Sequence, residues 1–449
     1  MDFTSLLRGI FGIVFILGIA FLFSNNKKRI NWKLVATGFT IQLIFAVFII
    51  YGEQLRSFFF ILGFPKDIIN WLGTAVVSLL SFTGKGAEFV FGRLAINSGS
   101  ESLGFYFAFQ VLPTIIFVSA LTSILYYLGI LQFVVRGMAW VVAKLLGTSG
   151  AESLSNTANI FVGQTEAPLL IRPYIDKMTK SEILTVMVGG MATIAGGVMA
   201  SYIQMLGQSF ADAHQISLAD AQIKFAVQLL AASTMAAPAS LVISKILYPE
   251  TEEPETKGTV KLKVEKNASN VIEAAATGAS DGLQLALNVA GMLLAFIALI
   301  AMLNYLFQGL GDVTGLNTFF MEKYKQPFSM QLLFGLVLQF VAFAIGVPWQ
   351  DALQFGSLIG TKVVLNEFVA YLDLAALVKS GALTEKGTMM ATYALCGFAN
   401  FSSIAIQIGG IAPLAPHRKK DIAALGLKAV LGGTLSTLMT ATIAGILVR

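Results

Sequence analysis

The chain has 449 residues, of which 56% are hydrophobic and only 12% charged, and its formal net charge is +5. Soluble domains carry about 25% charged residues, so this composition excludes an ordinary soluble protein. No concentrated basic face is present, which argues against nucleic-acid binding, and the single cysteine, Cys396, excludes an internal disulfide. Several apolar runs approach the roughly 20 residues that cross a bilayer. These features predict an all-α polytopic membrane protein.

The first third of the chain predicts three membrane spans. Apolar runs at about residues 6–23, 32–51 and 105–128 are long enough to cross. The first run lacks a small-residue cleavage site, so we interpret it as a retained span and not as a signal peptide. The basic cluster at 27–29 places the first connection in the cytoplasm and the N-terminus outside. Charges interrupt residues 53–105, which are expected to form amphipathic helices at the interface.

A polar kink follows in an apolar stretch. Residues 150–175 carry Gly163, Gln164, Thr165 and Glu166 between two apolar arms that are each too short to cross. Polar and ionisable groups at membrane depth usually mark a pathway or a binding site. We therefore predict a re-entrant hairpin that opens to the cytoplasm and holds substrate at its tip.

The middle of the chain predicts long helices on both sides of one polar segment. Continuous helices are expected at about 181–211 and 217–248. Residues 249–267 are rich in Pro, Glu and Lys, which predicts a flexible cytoplasmic loop between two halves. We expect three further helices after this loop. They are an interfacial helix, a span at about 283–310 and a half-buried helix at about 328–346.

The last third repeats the pattern of the first hairpin. Residues 348–377 form two short apolar arms around Asn366 and Glu367, and the helix that follows is interrupted at 397–403. A final span is predicted at about 422–448. Paired, broken apolar segments in corresponding halves are typical of transporters with inverted repeats, whose substrate site lies at the midplane of the membrane. The whole chain is therefore predicted to have about eight spans and two re-entrant hairpins.

The polar residues in these breaks have both a structural and a functional interpretation. Glu166 and Glu367 either cap broken helices or pair with a lysine, or they accept hydrogen bonds from a neutral, hydroxyl-rich ligand. Ser402 could bond its own backbone, whereas the amide of Asn400 needs partners for both of its polar atoms. Phe398 is either lipid-facing bulk or a surface for a flat ring.

One further candidate is an ion site. Thr193, in the small-residue stretch 189–200, either serves close helix packing or joins Asn159 and freed carbonyls in an oxygen cage for Na⁺, a hard cation. No role is assigned to the remaining candidates, which are Asp351, Asp373, His214 and His417.

Four motifs in these segments resemble those of bacterial concentrative nucleoside transporters. They are GQTEAPLLIRPY at 163–174, ATIAGGVMA at 192–200, NEFVAYLDL at 366–374 and ALCGFANFSSIAIQIGGIAPLAP at 394–416. Because they are long and mutually ordered, the resemblance covers essentially the whole chain. It implies a symporter and not an enzyme, with no cofactor. The symporter would carry pyrimidine nucleosides such as uridine, with purine nucleosides as a second candidate class, together with Na⁺ across the bacterial cytoplasmic (inner) membrane.

The resemblance also implies roles for individual residues. The residues that would face the nucleobase are Gln164, Thr165, Glu166 and Val198. Those that would hold the ribose are Glu367, Asn400 and Ser403, with Phe398 alongside. The sodium site would use the side chains of Asn159 and Thr193 and the carbonyls of Val162 and Ile194. Thr193 stands where the family usually has Ser, which keeps the hydroxyl.

The same resemblance implies a homotrimer in the lipid bilayer, with alternating access by movement of the hairpin-bearing domain. A scaffold would comprise 1–149 and 268–346, and the transport domain would comprise 150–248 and 347–449, with the cytoplasmic loop at 249–267 between the halves.

Three alternatives stay open at this point. A proton-coupled nucleoside carrier would use a titrating carboxylate such as Glu166. An intramembrane enzyme would need metal ligands or a nucleophile beside a base, but no HExxH motif exists and Cys396 has no neighbouring His or acid in sequence. A passive channel is disfavoured by the broken hairpins and the Gly-rich helices, which suit alternating access.

Overall fold

Helices form the regular structure of this chain. A computed structural model describes residues 3–96, 101–258 and 268–448. Within them, eight helices are long and apolar enough to cross a membrane, and one further pair is bent by 120° at a short break. The prediction of an all-α membrane protein with about eight spans and re-entrant segments is confirmed.

The first seven helices precede the first hairpin. They are α1 (Phe3–Leu22), α2 (Trp32–Ile50), α3 (Gly52–Phe58), α4 (Phe64–Phe91), α5 (Phe107–Gln110), α6 (Leu112–Tyr127) and α7 (Ile130–Leu146). Across 53–105 the structure has one long helix, α4, which is long and apolar enough to be a candidate span, and the interfacial position expected for this region stays a prediction. The charges of α4, such as Lys66 and Glu88, lie near its ends and leave an uncharged middle.

The first hairpin and the helices after it come next. They are α8 (Gly150–Ala158), a 3₁₀ turn (Ala167–Ile171), α9 (Arg172–Ile175), α10 (Lys180–Ala192), α11 (Gly196–His214) and α12 (Leu218–Leu247). Both hairpin arms are short, as expected. The predicted continuous helix at 181–211 is wrong, because the helix breaks at Thr193, whose backbone is extended (φ −120°, ψ 169°).

The second half contains eight helices. They are α13 (Val271–Thr314), α14 (Leu316–Tyr324), α15 (Met330–Ala344), α16 (Trp349–Val364), α17 (Glu367–Lys379), α18 (Glu385–Leu395), α19 (Phe401–Ile411) and α20 (Lys419–Leu447). The predicted separate interfacial helix before residue 283 is wrong, because α13 is a single helix of 44 residues. The second hairpin (α16–α17) and the interruption between α18 and α19 lie where they were expected.

The interior of the fold lies around α10, α11, α12 and α20. In the most apolar part of the candidate span that contains α20, 89% of the residues are buried, compared with 22% in the corresponding part of α13. Both broken helices pack on the two long helices, since α10 and α18 each contact α12 and α20. The breaks are therefore enclosed by protein, which is the setting that irregular backbone requires at membrane depth.

The polar segment after α12 is not a free loop over its described part. The Thr256 carbonyl accepts from Gly150 N at 2.9 Å, and its hydroxyl accepts from Ala151 N at 3.0 Å. The expectation of flexibility is thus wrong for 249–258, because these residues satisfy the first amides of α8, which a helix leaves without intrahelical partners. Residues 259–267 lie outside the described part of the chain.

Candidate functional site

Asparagine side chains begin the two helices that border the breaks of the second half. Asn366 caps α17 by accepting from Val369 N at 2.9 Å, and Asn400 caps α19 by accepting from Ser403 N at 2.9 Å. Asn is a preferred N-cap because its oxygen satisfies an unpaired amide of the first turn. These caps explain why an Asn marks each break.

The two broken helices touch each other at Gly397. This glycine has φ +153°, and an added Cβ would lie 2.7 Å from the Met191 carbonyl and 2.9 Å from the Ala192 carbonyl. Only glycine tolerates both this conformation and this approach. The contact brings the end of α10 against the interruption after α18.

A chain of buried hydrogen bonds links the first hairpin tip to α19. Gln407 Nε2 donates to Gln164 Oε1 at 3.0 Å and to the Met187 carbonyl at 2.9 Å. Gln164 Nε2 in turn donates to Ser403 Oγ at 3.2 Å. All three side chains are buried. The tip of the first hairpin is therefore attached to a helix of the other half of the chain.

The same hydrogen-bonded chain continues to the second hairpin. Asn400 Nδ2 donates to Glu367 Oε2 at 2.9 Å, and Tyr202 donates through its hydroxyl to Glu367 Oε1 at 3.2 Å. The Tyr202 ring stacks on Tyr371 with centroids 4.0 Å apart and meets Phe368 edge-on at 4.9 Å. Glu367 is only 5% exposed, so its carboxylate is held among neutral donors, an arrangement suited to hydroxyl-bearing ligands.

Glu166 faces a different space from Glu367. Its Oε2 accepts from Gly163 N at 2.5 Å, and its side chain lines a cavity of about 330 Å³ between the first hairpin, α6 and α13. Val198 lines the same cavity, and so does Asp281 of α13, which interacts electrostatically with Glu166. Of the expected base-facing residues, Glu166 and Val198 thus line this cavity, and Gln164 belongs to the buried hydrogen-bonded chain.

Thr165 and Phe398 lie at the margins of these two groups. Thr165 packs against Gly410 so closely that a side chain there would clash. Phe398 is half-buried against the core, next to the Gly397 contact. Neither side chain joins the chain of hydrogen bonds that runs from Gln407 to Tyr202.

The residues proposed for sodium lie where the first hairpin meets the break after α10. The Phe161 carbonyl accepts from Gly196 N at 3.2 Å, which joins the tip to the start of α11. Asn159 is 1% exposed and donates through Nδ2 to the Ser155 carbonyl at 3.0 Å. Its Oδ1 has no hydrogen-bond partner among the described residues. A buried acceptor without a donor is costly unless a ligand satisfies it.

Other oxygens at this junction are also available. The Thr193 hydroxyl donates to the Gly189 carbonyl at 2.9 Å, which leaves its lone pairs free. The carbonyls of Val162 and Ile194 accept no hydrogen bond from the residues that the structure describes. A neutral amide, a hydroxyl and carbonyls are hard oxygen ligands, so the residues present fit Na⁺.

Two members of the hydrogen-bonded chain were missed by the sequence analysis. Gln407 lies four residues after Ser403, and Tyr202 lies four residues after Val198. Residues four apart share one face of a helix, so each lies on the helix face that begins at a predicted site residue. That spacing was the available signal.

Three family models match this sequence. One, described as the C-terminus of a Na⁺-dependent nucleoside transporter, matches residues 228–445, and its N-terminal counterpart matches 11–94. A third, described as nucleoside recognition, matches residues 108–209. Together they cover most of the chain.

Curated relatives agree with these family models. The nucleoside permease NupC of Helicobacter pylori is 40% identical over 453 residues, covering 100% of this chain and 99% of the permease. An uncharacterized transporter of Bacillus subtilis, YutK, is 44% identical over 99% of this chain and 100% of its own length. The sodium/nucleoside cotransporter 1 of mouse is 39% identical over 97% of this chain and 63% of its own.

Solved structures of a similar protein, CNTnw, share the fold. An inward-facing, substrate-bound structure matches with a TM-score of 0.83 and 40% identity, covering 98% of each chain. An outward-facing structure of a CNTnw variant matches with a TM-score of 0.85 and 39% identity, covering 99% of this chain and 98% of the other. The chain is a multi-pass membrane transporter that belongs to the concentrative nucleoside transporter family.

Proposed function

We propose that this protein imports nucleosides across the bacterial cytoplasmic membrane by symport with Na⁺. The observation that carries the proposal is the buried chain of hydrogen bonds from Gln407 to Tyr202, which includes polar residues of both hairpins. Its donors and acceptors are neutral apart from Glu367, and this composition favours a neutral, hydroxyl-rich solute.

In this proposal the ribose hydroxyls replace the internal partners of Glu367. Asn400 and Ser403 then contribute an amide and a hydroxyl, and Phe398 supplies an aromatic face beside them. The nucleobase meets Gln164, Thr165 and Glu166, with Val198 opposite. Glu166 and Val198 line the same cavity, which supports the second assignment.

The sodium ion is proposed to bind the oxygens of Asn159, Thr193, Val162 and Ile194. Such an ion ties the first hairpin to the break after α10. Because Gln164 lies two residues beyond Val162, the ion orders the same tip that binds the base. Ion and nucleoside then raise each other's affinity by the same factor, as linkage requires. That reciprocity is the proposed basis of coupling.

We further propose that the hairpin-bearing regions move against a scaffold that includes α6 and α13. These two helices pack on each other and form one wall of the cavity whose opposite wall is the first hairpin. A homotrimer with its N-termini outside is proposed for the assembly. Light scattering of the detergent-solubilised protein tests the trimer, and a monomer mass would overturn it.

A second candidate is a proton-coupled nucleoside carrier. It is favoured by one observation, that Glu166 and Asp281 line the same cavity. Two neighbouring carboxylates repel each other unless one takes up a proton, so such a pair could carry the coupling ion.

Uptake of labelled uridine by proteoliposomes separates the two candidates. Sodium coupling predicts accumulation above the external concentration with an inward Na⁺ gradient and none when K⁺ replaces Na⁺. Accumulation driven equally well by an inward proton gradient without Na⁺ would overturn the ion assignment and support the second candidate. Equilibration without accumulation under every gradient would overturn both.

A further inference from the structure

Two lysines are buried among the helices that surround the site, and they differ in their partners. Lys245 of α12 lies 2.8 Å from Glu152 Oε2 and 3.3 Å from Glu250 Oε2. Lys362 of α16 is 0% exposed and forms no ion pair with any residue that the structure describes. A buried charge normally requires a paired charge or a full set of hydrogen bonds. The second lysine therefore needs an explanation that the first does not.

The acceptors of Lys362 are oxygens at the break of the second half. Its Nζ donates to the Ala394 carbonyl at 2.8 Å and to Thr437 Oγ1 of α20 at 3.1 Å. Ala394 lies in the last turn of α18, where carbonyls lack intrahelical partners and the helix dipole attracts a cation. The ammonium thus binds neutral oxygens at the carbonyl end of a broken helix.

The two halves of the chain follow the same order. Each has a hairpin, then a broken helix, then a long helix that ends the half. In the first half the oxygens at the hairpin–break junction belong to Asn159, Thr193 and two carbonyls, and one of them has no partner. In the second half Lys362, near the end of the first hairpin arm, supplies the cation at the corresponding junction.

We propose that the Lys362 ammonium is a fixed internal cation that takes, in the second half, the place of the sodium ion in the first. This inference rests on the proposed sodium site. One Na⁺ per nucleoside then suffices, because the second junction carries its own charge. Lys362 lies five residues before Glu367 in the same hairpin, and its Nζ is held on the Ala394 carbonyl just before the break that contains Asn400, the partner of Glu367. In this inference its charge acts on the ribose through the Glu367 carboxylate. Lys362 is a positioning residue that does not itself touch substrate.

The first test uses the unaltered protein. Uridine binding by the purified transporter is measured at increasing Na⁺ concentration, with choline keeping ionic strength constant. A single ion predicts a Hill coefficient of about one. A coefficient of about two would mean that a second Na⁺ occupies a site of its own and would overturn the inference.

The second test compares Lys362→Met with Lys379→Met. Lys379 lies at the end of the same hairpin, with its side chain 65% exposed, so it is a matched control for loss of a lysine charge. At saturating Na⁺, Lys362→Met should weaken uridine binding about tenfold or more. Binding of 2′- and 3′-deoxyuridine should weaken much less, so the preference for the full ribose collapses. A purely structural lysine would lower all three affinities alike.

The outcomes separate this inference from the proposed function. If the unaltered protein binds uridine without any dependence on Na⁺, the sodium site and this inference both fail. If Na⁺ dependence is present but Lys362→Met keeps the ribose preference of Lys379→Met, only the role of Lys362 is overturned. If gel filtration shows that Lys362→Met does not fold, the Hill coefficient of the unaltered protein still tests whether a second Na⁺ binds and so whether the inference is overturned.

Discussion

The two hairpin tips carry the same polar residue types but leave different atoms without a partner. At the asparagine of the first hairpin the unpaired atom is an acceptor, Asn159 Oδ1, whereas at the asparagine of the second it is a donor, Asn366 Nδ2, among the residues that the structure describes. An unpaired buried oxygen attracts a cation, and an unpaired buried N–H attracts an oxygen. One amide therefore suits an ion, and the other suits a ribose hydroxyl.

The hairpins also differ in how they are supported. The first arm α8 has nine residues and depends on residues outside it, because Thr256 bonds its first amides and Lys245 pairs with Glu152. The first arm α16 has 16 residues and packs on α15, to which it is joined by a sharp bend. A short arm held by neighbours is easier for an ion to order, and a longer arm is a firmer support for substrate.

The largest effect is expected from Glu367→Gln in the second hairpin. The substitution removes a charged acceptor, and a hydrogen bond to a charged group contributes about 1.5–3 kcal/mol. Uridine affinity should therefore fall about tenfold to a hundredfold, with the preference over 2′- and 3′-deoxyuridine lost. Competition binding measures both. Glu385→Gln removes an exposed carboxylate and is the control. Equal discrimination by Glu367→Gln and the unaltered protein would contradict the ribose assignment.

The next effect compares Asn159→Ala with Asn366→Ala. Removing a residue that only hydrogen-bonds to a metal ligand lowers metal affinity about tenfold. Asn159 is proposed as a ligand itself, so Asn159→Ala should raise the Na⁺ concentration for half-maximal uptake about tenfold or more. Asn366→Ala removes the cap of α17, which should lower stability by about 1 kcal/mol, and should leave the Na⁺ dependence unchanged. The same shift in both variants would remove the distinction between the hairpins.

A smaller effect is expected from Gln164→Ala. A neutral hydrogen bond contributes about 0.5–1.5 kcal/mol, so the ratio of uridine to adenosine uptake should change about threefold to tenfold. The preference for ribose over deoxyribose should persist, because Glu367 is unaltered. Uptake of labelled nucleosides in competition measures the ratios. An unchanged base preference together with a lost ribose preference would contradict the base assignment and would mean that Gln164 contacts the ribose.

The sequence predicted those breaks that contain unusual residues. The Gly397–Asn400 interruption and both hairpin tips interrupt apolar runs with polar groups and glycine, which local patterns reveal. The break at Thr193 was missed, because the small residues of 189–200 also suit a continuous helix that packs closely on its neighbours. It depends on contacts with Gly397 and with the Phe161 carbonyl, which come from distant parts of the chain.

The partners within the site were equally hidden from the sequence. Tyr202 reaches Glu367 across 165 positions, and Gln407 reaches Gln164 across 243. Each lies on a regular helix, where one polar residue is ordinary. Lys362 was missed for the same reason, because a single lysine in a short hairpin arm reads as an interfacial charge. The four-residue spacing indicates the helix face of Gln407 and Tyr202, but only the tertiary arrangement shows which partners these residues reach.

The smallest expected effect tests the support of the first hairpin. Thr256→Val keeps the shape of the side chain and the backbone bond to Gly150, but it removes the hydroxyl that accepts from Ala151 N. One neutral hydrogen bond of about 1 kcal/mol corresponds to about fivefold faster opening. Hydrogen exchange in α8 should therefore accelerate about fivefold, with α16 of the second hairpin as the internal reference. Saturating Na⁺ should slow exchange again in the first hairpin and not in the second, because the ion is proposed to bind only there. Equal acceleration in both hairpins would mean that the segment after α12 stabilises the whole fold, and that the first hairpin has no separate dependence on it.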